Sequence, residues 1–127
     1  MRNLLAAVAA VMPEWAYFDR GPRDEPAYYA VYTVDTISVD DTASLLHSTQ
    51  ITVDSFARDT TTESGTAVLA GMHAVLDAAF VRGHLTAADG TGSSSLVVLG
   101  ERSVQRDPED EAVGWSRSVY TTTWSST

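Results

Sequence analysis

The 127 residues contain no cysteine and no lysine. The first absence excludes disulfide staples, thiol nucleophiles, zinc fingers and iron–sulfur clusters. It fits a reducing cytosol. The second removes Schiff-base chemistry and leaves arginine alone to carry positive charge. That charge is scarce: 8 arginines stand against 17 Asp and Glu, a formal net charge of −9. A chain so acidic has no basic face with which to hold a nucleic-acid backbone by counterion release. His47, His73 and His84 form no i,i+4 pair and no HExxH pattern, so neither a metal nor another cofactor is expected. No apolar run is long enough to span a bilayer, and no membrane partner is expected.

What is present is ordinary globular material, 44% hydrophobic and 20% charged. A chain of this length suits one domain, residues 1–127, around one core. Near the start, Arg2 precedes the apolar run Leu4–Met12, which superficially matches a short signal peptide. Pro13-Glu14-Trp15 follows without a small-residue cleavage site, and Leu4, Leu5, Val8, Val11 and Met12 share one helical face. The expectation is a retained amphipathic helix, capped by Asn3 and stopped before Pro13.

Residues 13–26 hold three prolines and a glycine and are expected to form a loop. Residues 27–39 and 47–57 are rich in Tyr, Val, Ile and Thr, which favour pleated, half-buried surfaces. Asp40-Asp41-Thr42-Ala43-Ser44 between them reads as a polar turn, giving a long hairpin arm that projects past the core. Thr60 and Glu63 have capping-box spacing ahead of a helix over 64–82. Val68, Leu69, Met72, Val75, Leu76, Ala79 and Phe80 make its core stripe, and Gly83 its C-terminal stop. Residues 84–94 read as a loop turning at Asp89-Gly90. Residues 95–105 and 115–125 read as strands, the first with a bulge at Gly100. The expected fold is therefore α+β: an antiparallel four-stranded sheet with helices packed on one face, in the order α-β-β-α-β-β.

Chemical signals are fragmentary. No G-x-S-x-G elbow is present, and Asp89-Gly90-Thr91-Gly92 lacks the Lys and the following helix of a phosphate loop. Asp40-Asp41 and Glu109-Asp110-Glu111 lack calcium-loop spacing; they are either solvated surface or a complement to a partner. His73 falls off the helical stripe and is expected to be partly exposed, while His84 would complement the helix C-terminus. No catalytic residues emerge, and the chain is not expected to be an enzyme. Tyr28, Tyr29, Tyr32, Trp115, Tyr120 and Trp124 crowd the first and last long strands, with Arg102, Arg106 and Arg117 beside them. Such residues either fill a small core or form an interface.

The order of these segments has a counterpart. Pro26-Ala27-Tyr28-Tyr29-Ala30-Val31-Tyr32, then Gln50-Ile51-Thr52-Val53-Asp54-Ser55-Phe56-Ala57, then the Ala-rich stretch 67–80, an Arg106-Asp107-Pro108 loop and a final strand follow one another. This layout resembles the tail terminator, or tail-completion, proteins of long-tailed siphovirus-type bacteriophages and phage-derived particles. In that family the middle strand carries a similar hydrophobic-x-Val-Asp-x-aromatic phrase before an Ala-rich helix.

The resemblance implies a virion structural protein at the tail–neck junction, made in the host bacterial cytoplasm. It implies a ring, usually of six copies, on the head-proximal end of the tail tube. The ring stops tube polymerisation and offers a surface to the head–tail connector or neck protein. DNA would pass through without specific binding; the net charge of −9, not the resemblance, gives the further expectation of an acidic lumen past which it slides. The candidate protein–protein interface is Arg102, Arg106, Asp107, Glu109, Arg117, Tyr29, Asp40 and Asp41. Two other assignments remain open: a neck or head–tail connector component, and a small-molecule-binding α+β module with a pocket between the helix and the sheet.

Overall fold

Alternating burial along three long strands builds the centre of the fold. The computed structural model describes residues 2–24, 26–39, 46–80, 83–87, 90 and 92–126. Among them, two helices and six strands follow in the order α1 (Arg2–Val11), β1 (Ala16–Phe18), β2 (Tyr28–Val39), β3 (Leu46–Arg58), α2 (Gly65–Phe80), β4 (Gly92–Ser94), β5 (Val98–Asp107) and β6 (Asp110–Ser126). Ala30 and Tyr32 of β2, Ile51, Val53 and Ala57 of β3, and Tyr120 and Trp124 of β6 are buried on one face. Period-two alternation places them together, because successive strand side chains point to opposite sides.

The helices supply the other half of this core. Leu4, Ala7 and Val8 of α1 and Leu69, Met72, Leu76 and Phe80 of α2 join the same cluster. Burying each large side chain of α2 contributes about 1.5–3 kcal/mol relative to exposure. Ser64 starts α2: its hydroxyl accepts the Ala67 N–H at 3.2 Å. Thr60, the expected cap, instead accepts the Glu63 N–H at 3.1 Å in a separate turn just before the helix. Gly83 N–H donates to Phe80 O at 3.1 Å, where the chain has left the helix.

The sheet differs from the expected one. It is six-stranded and mixed, in the order β1-β2-β3-β6-β4, with β5 also pairing β6. The four expected strands are all present and antiparallel to one another, in the order β2-β3-β6-β5. The two unexpected ones are three-residue pieces, too short to show a period. β1 runs parallel to β2 over Ala30–Tyr32, inside what reads as a proline-rich loop. Asp19, at a φ of 66°, helps the chain turn away after it. β4 comes from the small-residue loop and pairs with Ser126, Ser125 and Trp124 of β6. A Cβ at Gly92 would come within 2.5 Å of the Trp124 ring, so glycine is what lets β4 approach.

The hairpin of β2 and β3 is not a free arm. β3 pairs with β2 on one side and, from Leu46 to Arg58, with β6 on the other. It is an interior strand. The connection holding Asp40 and Asp41 lies outside the described residues. The bulge at Gly100 is present, as a register shift between Leu99 and Glu101.

Candidate functional site

Three arrangements of polar and aromatic groups stand out, and they divide the candidate residues among them. The first is half-buried beside α2. Arg102 of β5 donates to both carboxylate oxygens of Asp77, at 3.0 and 2.7 Å, and to Ser118 Oγ at 2.8 Å. It also donates to the Tyr120 hydroxyl at 2.9 Å, which in turn donates to Asp77 at 2.7 Å. Every polar group in the cluster thus has a partner, as a semi-buried charge requires. The Arg102 hydrogen bond is the main cause holding the Asp77 carboxyl below its ordinary range. Burial, then the hydrogen bond to Asp77, pushes the Tyr120 hydroxyl well above its own.

His73 belongs beside this cluster. It is only 8% exposed, against the expected exposure, because its off-stripe position on α2 faces β6. There its Nε2 lies 2.7 Å from Ser116 Oγ. Burial, then the nearby Arg102 charge, lowers the imidazole pKa from its usual 6.5. A serine bonded to a histidine has the look of a nucleophile and its base. Ser116, however, is 1% exposed, and both oxygens of the nearby Asp77 are taken by Arg102 and Tyr120. The pair locks helix to sheet. The space expected to form a pocket there is filled by Leu69, Met72, Leu76 and Phe80.

The second arrangement lies on the opposite face, which neither helix covers. Tyr29, Phe56 and Trp115 stack across β2, β3 and β6, with ring centroids 5.1 and 6.5 Å apart. Arg117 sits over Trp115 at 5.7 Å and donates to Asp54, its cross-strand partner, at 2.8 and 3.1 Å. Beside the row, a cavity of about 280 Å³ is walled by Pro26, Ala27, Arg58 and the β5–β6 turn. Tyr29, Asp107 and Glu109 all line it. Arg58 pairs with Asp110 at 3.0 Å, and Arg106 with Asp59 at 2.9 Å. Asp59 also accepts the Gly65 N–H, so one carboxylate ties α2 to β5.

The structure therefore unites Tyr29, Asp107 and Glu109 at one cavity, sets Arg117 over the neighbouring Trp115, pairs Arg106 with Asp59, and holds Arg102 half-buried against Asp77. That Asp54, Asp59, Asp77 and Tyr120 partner the arginines escapes sequence reasoning, because each lies at least 18 residues from its arginine. His84 also differs from expectation: its Nδ1 meets Ser94 O at 3.0 Å.

The third arrangement is the outer face of α2. Thr66, Ala67, Ala70, Gly71, Ala74, Val75 and Ala78 are exposed. Asp77 is the one charged side chain in the helix, and Arg102 holds it. An exposed helix face normally carries charge; a helix apolar all round is one that becomes covered. Among the described residues no group of three His, Cys, Asp or Glu is placed to hold a metal ion. Among the described residues no helix is long and apolar enough to cross a membrane. The sequence matches no protein-family model and no curated protein.

Proposed function

We propose that the chain is a phage-type virion structural protein, a tail terminator that forms a ring on the head-proximal end of the tail tube. The ring ends tube growth and presents the surface that joins the tail to the neck. The observation that supports this most is the uncharged outer face of α2 on a chain of net charge −9. A soluble monomer gains nothing from such a face, whereas a subunit in an assembly covers it. The pairing of most described arginines with carboxylates on the same chain adds to this, since it leaves the acidic excess for a lumen through which DNA slides.

The test is native mass spectrometry with negative-stain imaging, first of the chain alone and then with tail tubes of the same particle. The expected result is rings of six seated at one tube end. Ala74→Arg, on the exposed face of α2, should leave stability within about 0.5 kcal/mol of the parent and abolish capping. Wild-type chain that stays monomeric and leaves every tube end bare overturns the proposal.

A further inference from the structure

The sheet ends in two unsatisfied edges, and their geometry matches. β5 pairs with β6 on one side and with no other strand among the described residues. β2 is covered by β1 only at Ala30–Tyr32, so Thr33–Val39 is open on that side among the described residues. Open edges present rows of N–H and C=O groups that another strand can complete. We infer that copies of this chain join edge to edge, β5 of one adding antiparallel to the open part of β2 in the next. This rests on the ring-forming role proposed above and names how neighbouring subunits would meet.

Direction comes first. β2 and β3 are antiparallel, as are β3 and β6, and β6 and β5. β5 therefore runs opposite to β2. A second copy placed in the same orientation beside the first brings these two edges together as an antiparallel pair. Because the edges lie at opposite ends of one sheet, the contact is head-to-tail, the type that closes rings.

Face and register come next. Val104 sits across from Ser116 on the helix-bearing face of the sheet, yet it is 50% exposed. Val34 lies on the same face of β2, partly buried against the core. Setting Val104 opposite Val34 joins the two apolar groups on the inner face. It also sets Ser103 against Asp35 and Gln105 against Thr33, polar pairs on the outer face. In this register only Arg106 and Asp107 reach the stretch that β1 covers, and a two-residue slip that way would set Val104 itself against Tyr32. A slip the other way runs into the irregularity of β2 between Thr36 and Ser38. The register is bounded on both sides. So short a ladder buries well below the roughly 800 Å² per partner of a standard interface, so single contacts are weak and closure depends on many together.

The chain has no cysteine, which makes disulfide trapping clean. Val34→Cys and Val104→Cys are made as separate proteins and oxidised alone and as a mixture. Within one chain, β3 and β6 keep the two positions more than about 14 Å apart by strand spacing alone, and Val104 is level with Ala30 rather than Val34, so they are out of disulfide reach. The mixture should give a crosslinked dimer, and each variant alone should give little. Thr33→Cys with Gln105→Cys provides a second pair if Val34→Cys fails to fold. Crosslinking of Val104→Cys alone as fast as the mixture overturns the inference, because β5 then meets β5. Rings seen by native mass spectrometry with no disulfide from either pair also overturn it, while the ring-forming role survives. Crosslinks that yield only open chains support the edge pairing and sink the ring.

Discussion

His73 Nε2 and Ser116 Oγ, 43 residues apart, share a 2.7 Å hydrogen bond where neither side chain reaches solvent freely. Nε2 can donate to the hydroxyl or accept from it, according to the tautomer. The surroundings favour the neutral ring, since burial and then Arg102 disfavour the cation while Asp77 opposes them only in part.

Stability should therefore depend on pH through His73. In the unfolded chain the imidazole takes up a proton as pH falls through about 6.5, while the folded form resists it. The unfolded state then binds more protons, so stability falls as pH drops below that value. Chemical denaturation from about pH 8 to about pH 5.5 should show a steeper loss for the parent than for His73→Gln. Equal slopes would remove His73 as the cause.

Two arginines of β5 should behave differently. Arg102 is held in a cluster with side-chain exposures of 19% and 34% for itself and Asp77, and Arg106 in an open pair at 41% and 38%. Arg102→Leu should cost about 2–3 kcal/mol, because it strands the Asp77 carboxylate and removes several charge-assisted bonds. Arg106→Leu should cost under about 1 kcal/mol. Urea midpoints of the two variants decide it, and equal losses would contradict the structural distinction. Charge reversal at Arg102 would consequently report on folding before it reports on any partner.

Gly92→Ala should be costly for its size. The added methyl would meet the Trp124 ring, one of the largest buried side chains. Overpacking of this kind costs about 1–3 kcal/mol. Near-ultraviolet circular dichroism should change with it, and Trp124→Phe in the same background should recover part of the loss. An unchanged melting temperature for Gly92→Ala would mean that β4 shifts without penalty.

The sequence was informative where a pattern repeats. The stripe from Leu69 to Phe80 and the alternation in β2, β3 and β6 announce their elements because burial repeats with the backbone period. It was silent where structure depends on distant partners. β1 and β4 are three residues each, and each forms because a longer strand offers an edge. His73 looks exposed on a helical wheel drawn for apolar residues alone; Ser116 makes its burial tolerable, and nothing near His73 in the chain points there. The site residues divide in the same way. Tyr29 shares its cavity with Asp107 and Glu109 because β2 and the β5–β6 turn end at the same place. Arg102, from the same strand, faces inward because β5 alternates.

β6 has a consequence for how the molecule comes into being. It is the last strand in chain order, yet it is the one that β3, β4 and β5 all need. Its contacts with β3 join residues from 55 apart, at Arg58 and Val113, to 79 apart, at Leu46 and Ser125. A nascent chain that has emerged only through β5 has half its ladder bare and lacks both Tyr120 and Trp124. Contacts so distant in sequence slow folding, and an open β3 edge is a hazard while it waits. The sheet therefore cannot close until β6 has followed β3, β4 and β5 out, and Tyr120 and Trp124 are the keystone its core waits for.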